Sequence, residues 1–357
     1  MLDALNEKEF GLHLTPRPNE ILESGFMKLS VAIPTHNRRN LLEENLLNLA
    51  NQIKLLKEPV EVVISDNAST DGTELMVAEM ITSGLLIAYH RNPANLGMDE
   101  NADLAIQRSR GEYVLLLGDD DLLEPDALVT ILKCLHVYPD LALIYLNFRI
   151  YDGKLENEID FRDQAFDRIE RDDFFADGLQ VVEKTRKIFA AISGGVYKRT
   201  MWEQANPSRF YGTIFIHVGI TLDILCRARA PAYIFKRPLF KYRLNDSAPG
   251  HIKSYKDIFA VSFGLLRIIK EHKPYIPSEV FSEMYQRELS WTREKILGAK
   301  ARERVPVKKT FSEMRQSYDT SRPDFWLVDV PMLLIPKWLL NLPYQAYRLL
   351  KYRRSRA

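Results

Sequence analysis

Three short runs of β-branched and apolar residues each break off into a polar cluster. That repetition restricts this 357-residue chain more than any other feature. Leu29–Pro34 (LSVAIP) runs into Pro34-Thr35-His36-Asn37-Arg38, and Val60–Ser65 (VEVVIS) runs into SDNASTDG, ending at Gly72. Tyr113–Leu117 (YVLLL) runs into Gly118-Asp119-Asp120-Asp121. Leu85–Tyr89 and Leu141–Leu146 are further strand patterns. Helical spacing lies between them, with Leu42, Leu46, Leu49 and Ile53 on one face. Asp71 with Glu74 resembles a capping box, and Pro125 stands where a first helical residue would. Strand alternating with helix implies an α/β fold, a Rossmann-like, mostly parallel sheet covered on both faces.

In such a sheet, ligands bind at the carboxyl ends of the strands. Parallel topology therefore brings the three polar clusters to one edge, although they are far apart in sequence. Three successive aspartates after a buried strand repel one another. A divalent cation offsets that repulsion, and hard oxygen ligands suit Mg²⁺ or Mn²⁺. The competing reading is an acidic turn capping the helix at Pro125. The first strand has no G-x-G-x-x-G after it, and no P-loop signature occurs. Phosphate is then expected to be held by metal rather than by a backbone nest.

Composition narrows the partners. The net charge of +1 offers nothing to nucleic acid. Cys134 and Cys226 are the sole cysteines and sit in apolar stretches, which fits a reducing compartment. No run of apolar residues is long enough to span a bilayer, and the N-terminus lacks a signal pattern. The expected location is cytoplasmic. Residues 1–27 read as an extension, or as sequence ahead of a later start at Met27.

VAIPTHNR, VVISDNASTDGT, RNPANLGMDENADLA and GEYVLLLGDDDLLEPDAL, in that order, resemble glycosyltransferase family 2. The likeness runs from Lys28 to Leu135 and more weakly through ISGGVYKR to Leu225. SDNASTDGTE, Asn95-Leu96-Gly97 and the GTxxxH stretch at Gly212 are similar to its abequosyltransferase-like members, which extend bacterial O-antigens. The resemblance implies a GT-A catalytic domain over 28–250, a nucleotide-sugar donor, a divalent metal and inversion at the anomeric carbon. It implies that Pro34, Thr35, Asn37 and Arg38 border the nucleotide and that Asp66 bonds the base. Asn95, Gly97 and Asn101 would complete the donor site. Gly118 replaces the first acid of the family's D-x-D-D, so Asp119 would make the first contact, with Asp120 and Asp121 on the metal. The family's base is an aspartate at a helix start, where this chain has Val218; His217 and Asp223 are the candidates instead. Arg243 and Asn245-Asp246-Ser247 resemble a segment that closes over the donor phosphates.

Between Asp152 and Asp177 ten acids face four bases, which reads as a solvated insertion. Residues 251–325 read as a helical region. After Asp329 there is no acid, while Lys337, Arg348, Lys351, Arg353, Arg354 and Arg356 are basic and interleaved with Trp338, Tyr344, Tyr347 and Tyr352. Residues 326–357 thus read as an amphipathic tail for the surface of an anionic membrane, in keeping with a glycan or lipid-linked acceptor. The expected activity is metal-dependent sugar transfer in bacterial surface polysaccharide synthesis. A nucleotidyl- or phosphotransferase with a similar acidic edge is the rival reading, and an inactive GT-A-like nucleotide-binding protein is another.

Overall fold

The computed structural model describes residues 27–82, 85–159, 166–187, 189–244, 259–302, 305–336 and 339. The N-terminal extension, Asn245–Ser247 and most of the basic tail lie outside these.

Parallel strands form the first half. They are β1 (Leu29–Thr35), β2 (Val60–Asp66), β3 (Ile87–Arg91) and β4 (Tyr113–Leu116), in the order β3-β2-β1-β4. Helices α1 (Arg39–Ile53), α2 (Thr73–Thr82) and α3 (Met98–Gln107) make the crossovers. Both faces of β1 are buried. Val31 and Ile33 join a core with Leu42, Leu46 and Leu49 of α1, while Ala32 joins another with Ala102 and Ile106 of α3. Period-two alternation divides the same strand between two apolar layers, which is why it reads as a continuous apolar run.

Direction then reverses. β5 (Leu122–Leu123) and α4 (Ala127–Val137) lead to β6 (Leu143–Tyr151), β7 (Asp173–Phe175), α5 (Leu179–Thr185) and β8 (Gly195–Lys198). After α6 (Arg199–Gln204) and α7 (Ile216–Leu222), the long β9 (Ala232–Arg243) closes the series. β8 lies antiparallel between β4 and β6, and β9 runs parallel to β6 while pairing antiparallel with β5 and β7. Among the described residues the sheet has nine strands, parallel in one half and mixed in the other.

The acidic segment departs from the expected solvated insertion. Asp173–Phe175 joins the sheet as β7, and Phe166 and Ile169 are buried in the core. Hydrophobic anchors outweigh the surrounding charge. The capping-box expectation at Asp71 also changes. Asp71 Oδ1 accepts from the Thr73 amide at 3.2 Å, but Oδ2 accepts from the Arg39 amide at 2.9 Å. One carboxylate thereby ties the starts of two helices together.

The C-terminal helices are α8 (Gly264–Glu271), α9 (Ser278–Arg302), α10 (Val307–Ser317) and α11 (Val330–Leu334). They share one hydrophobic core with α3, α7 and the sheet, through Leu266, Ile269, Tyr285 and Leu289. Both cysteines are buried and free.

Candidate active site

Strand register delivers the expected convergence. Thr35 is the cross-strand partner of Asp66, and Ala32 that of Leu116, three residues before Asp119. The Thr35 hydroxyl donates to Asp119 at 2.7 Å. A cavity of about 840 Å³ opens over this edge. Pro34, Thr35, Arg38, Asn67, Asn95 and Gly118–Asp121 line it. Phe148, Tyr242, His217 and Trp291 line it as well, with Tyr242 in the field of Asp121 and Asp120.

The three aspartates do different work. Arg38 Nη1 donates to Asp119 at 2.8 Å and to Asp120 at 3.0 Å, so one cation neutralises both. Burial pushes Asp119 up to about 6, against the opposing pull of Arg38. Asp121 is the most enclosed, and burial, followed by repulsion from Asp120, pushes it well above the usual carboxylate range. It accepts from the Ser193 hydroxyl and from the Arg243 amide at 2.9 Å. Its oxygens thus fasten β9 and the Ser193 turn to the acidic loop, and it is Asp119 and Asp120 that share a bound cation, Arg38. Asn45 Nδ2 donates to the carbonyls of Gly118 at 3.0 Å and Asp121 at 2.7 Å, and the Gly118 amide donates to Ser193 at 2.9 Å.

Gly118 has a steric reason. A Cβ there would come within 3.1 Å of Ser193 Oγ and 3.3 Å of carboxylate oxygens of Asp120 and Asp121. An aspartate in that position would crowd the loop. Arg243 is also corrected. It is 4% exposed and bonds the Asp120 carbonyl at 2.8 Å, the Gly153 carbonyl at 2.9 Å and Glu44 at 2.6 Å. It braces the acidic loop and does not line the cavity.

The donor set fits a cation carried in with phosphates. Among the described residues no three His, Cys, Asp or Glu side chains gather as a metal cage. Asp119 and Asp120 nevertheless aim at one common cation, Arg38 Nη1. Two carboxylates completed by substrate phosphates and water are what Mg²⁺ commonly accepts.

The Asn67 and Asn95 wall of the cavity rests on a lattice of amides. Asn67 Nδ2 donates to Asn95 at 2.9 Å and to the Gly97 carbonyl at 3.0 Å, and its Oδ1 accepts from the Leu96 amide at 2.9 Å. Asn92 links Asn67 to Asn101, which donates to the Ser65 carbonyl at 2.9 Å. Gly97 sits at φ +89°, a conformation open to glycine at no steric cost. Asn95 and Asn101 line the cavity; Gly97 shapes the loop without lining it. Asn37 is turned away, its Oδ1 accepting from the Thr70 amide at 2.8 Å. Asp66 is fully buried, accepting from the Ser69 amide at 2.9 Å and the Tyr89 hydroxyl at 2.5 Å. A base N–H would meet its Oδ2 only once Tyr89 turned away.

Asp99 holds the loop before α7. Its oxygens accept from the Ile214 amide at 2.7 Å and the Ile216 amide at 3.0 Å. Ile214 has φ +60°, strained for a β-branched residue, and it lines the cavity. His217 Nε2 bonds the Ala190 carbonyl at 2.9 Å, so it carries the proton, and buried Nδ1 has no hydrogen-bond partner. Burial drives the imidazole down to about 4. Asp223 is elsewhere. It lies in the wider turns that extend α7 (Asp223–Arg227), paired with Arg209 and with His272 at 3.2 Å, and does not line the cavity. Its candidacy as base is corrected on that ground.

Sequence reasoning missed Asn45, Asn67, Asn92, Asp99 and Ser193 as site-forming groups. It also missed Glu288 and Trp291 of α9, which line the cavity. Asn67, Asn92, Asp99 and Ser193 stand inside motifs quoted from the sequence, which was the available signal for them; nothing flagged Asn45 or α9.

Residues 30–193 match the family model described as Glycosyl transferase family 2. Over 226 residues the chain is 29% identical to the abequosyltransferase RfbV of Salmonella typhimurium, covering 60% of this chain and 66% of that protein. Over 107 residues it is 34% identical to a Campylobacter jejuni GalNAc(5)-diNAcBac-PP-undecaprenol beta-1,3-glucosyltransferase, covering 30% of this chain and 34% of that one. The matches thus span less than two thirds of either relative's own length. Among solved structures, residues 1–349 of Staphylococcus aureus TarS in complex with UDP superpose with a TM-score of 0.62 at 17% identity, covering 90% of this chain and 92% of that one. A Pyrobaculum calidifontis mannosyltransferase in complex with GDP-Man and Mn²⁺ gives 0.52 at 18% identity, covering 94% and 91%. The fold is GT-A.

Proposed function

Starting from a chain that carries a glycosyltransferase family 2 domain, we propose that it transfers a sugar from a nucleotide-sugar donor to a glycan or lipid-linked acceptor of bacterial surface polysaccharide. One observation carries this reading: Thr35, Arg38, Asn67 and the carboxylates of Asp119 and Asp120 meet at the carboxyl edge of three parallel strands, in one cavity. The relatives' own names, an abequosyltransferase and an undecaprenol-linked glucosyltransferase, support the acceptor class.

In this reading Pro34, Thr35, Asn67 and Asn95 surround the nucleoside, with Asp66 beneath it. Asp119 and Asp120 would hold Mg²⁺ or Mn²⁺, which when bound would supply positive charge to the diphosphate leaving group. Arg38, released from its carboxylates, is within reach of the same phosphates. The acceptor lies toward Phe148, Tyr242 and Trp291, rings suited to stacking on a sugar. His217 takes the acceptor hydroxyl's proton on Nδ1, since Ala190 fixes the other nitrogen as a donor. The acceptor oxygen bonds the anomeric carbon as its bond to phosphate breaks, and the nucleoside diphosphate leaves. Glu288 of α9 also lines the cavity and is the rival for the proton.

No helix among the described residues is long and apolar enough to cross a membrane. We place the protein on the cytoplasmic face as a peripheral component, supported by the acid-free basic stretch after Asp329. Incubation with UDP-, GDP-, CDP- and dTDP-sugars and Mn²⁺ tests the activity. Free nucleoside diphosphate is the expected product. Pyrophosphate would instead indicate nucleotidyl transfer, and binding without product would indicate a protein that has lost turnover; either result sinks the reading.

A further inference from the structure

The segment from Phe325 to Leu339 breaks the usual rule for surface helices. Its inward positions are apolar, as expected: Phe325, Met332 and Leu333 are buried. Its outward positions are apolar as well. Trp326 is 54% exposed, Leu327 75%, Val328 48%, Leu334 69% and Leu339 48%. A helix packed on one side ordinarily turns polar residues to water, and a contiguous exposed apolar patch marks a contact surface.

Polar groups pin this ridge to the body of the protein. Arg293 of α9 donates to Asp329 at 2.5 and 2.8 Å and to Asp324 at 2.8 Å. Lys300 of α9 donates to the Met332 carbonyl at 3.0 Å and to the Leu333 carbonyl. Asp329, the one acid between Phe325 and Leu339, is consumed in this clamp and is 1% exposed. At about 100° per residue, Arg293 and Lys300 lie opposite the α9 face formed by Arg287, Glu288, Trp291 and Lys295. That second face lines the cavity. One helix therefore joins the ridge to the far wall of the site.

We infer that Trp326, Leu327, Val328, Leu334 and Leu339 insert into the interfacial layer of an anionic bilayer, and that α9 thereby holds the acceptor end of the cavity at a fixed height above the lipid. The inference rests on the peripheral-membrane reading and adds the surface that makes the contact. Charge selects the occupant. Exposed Lys308 stands on neighbouring α10, and the six bases from Lys337 to Arg356 follow with no acid among them. A protein partner would need acids matched to those bases, whereas an anionic lipid surface supplies negative charge everywhere. Indole and leucine side chains are at home at the headgroup boundary.

Flotation of the full-length chain tests this, using phosphatidylcholine vesicles with and without about 30% phosphatidylglycerol. The wild type should float with the anionic vesicles. A ridge variant, Trp326→Ser with Leu327→Ser and Val328→Ser, should lose about tenfold or more in partitioning. It should keep the thermal midpoint and transfer to a soluble acceptor analogue. A tail variant, with Arg348, Lys351, Arg353 and Arg354 changed to Gln, separates the two readings. If the ridge variant floats like wild type while the tail variant does not, the ridge inference fails and the membrane reading stands. If the wild type floats with neither vesicle, the membrane reading fails. A ridge-dependent dimer in sedimentation, without flotation, would assign the surface to a second copy and overturn the inference.

Discussion

His217→Gln is the most informative single change. The imidazole is 2% exposed, and burial holds its pKa at about 4. In the unfolded chain it returns to about 6.5. The folded value is the depressed one, so this group's contribution to stability is whole above about pH 6.5 and is lost as pH falls toward about 4. At about pH 5, roughly 1.5 pH units below the unfolded value, the unfolded imidazole is almost fully protonated while the folded one is mostly neutral, a linkage cost of about 2 kcal/mol. Gln stays neutral and its amide can still donate to the Ala190 carbonyl. Urea unfolding at about pH 7.5 and about pH 5 should therefore show wild type losing about 2 kcal/mol more than the variant. Equal losses would mean that His217 is not buried as described. Catalysis gives a second reading of the same residue. The variant should turn over roughly 10²–10⁴-fold more slowly with donor affinity preserved. The wild-type rate should not inflect near pH 6.5 (about the free imidazole value), because the neutral form persists below it. If Glu288→Gln shows the rate loss and His217→Gln does not, the proton goes to Glu288.

Asp120→Ala should abolish transfer with an unchanged unfolding midpoint, since a side chain at the cavity edge is lost rather than core volume; full activity, or undiminished activity in excess chelator, would reject the metal assignment. Asp99→Ala leaves the Ile214 and Ile216 amides without an acceptor and should cost about 1–3 kcal/mol after relief of the Ile214 strain, measured by urea unfolding. A neutral result there would show that the loop does not depend on the carboxylate. Asp66→Ala should weaken nucleotide binding by about 1–3 kcal/mol in calorimetry; unchanged affinity would transfer the base contact to Asn67. Asp223→Ala leaves Arg209 with Glu271 alone and takes one partner from buried His272; it should cost about 1–3 kcal/mol of stability while sparing turnover in the folded fraction, and the reverse pattern would restore it as a base candidate.

β1, β2 and β4 were readable almost to the residue, because strands buried on both faces are continuous apolar runs with sharp polar ends. β3 was expected at Leu85–Tyr89 and lies at Ile87–Arg91. It is an edge strand whose half-exposed residues blur the pattern. β6 was expected to stop at Leu146 and continues to Tyr151, with Asn147 and Arg149 in the ladder. The reversal at β8 was invisible, since alternation records faces and not direction. The convergence on Asp119 and Asp120 followed from parallel topology. The amide lattice of Asn67, Asn92, Asn95 and Asn101 did not, because an asparagine in a loop looks the same whether it braces a backbone or meets water. Arg243 and Asp223 were misplaced for a related reason: a charged residue near a motif gives no sign of which way it faces.

The Arg38 bridge has a consequence for how this protein is stored and handled. An acidic pocket that depended on a divalent ion for its integrity would loosen whenever that ion was stripped. Here the chain provides its own counterion, attached to the first helix and already seated between the two carboxylates. Purification in chelator should then give a silent protein and not a sagging one. Restoring activity should take only the time an arginine side chain needs to move aside.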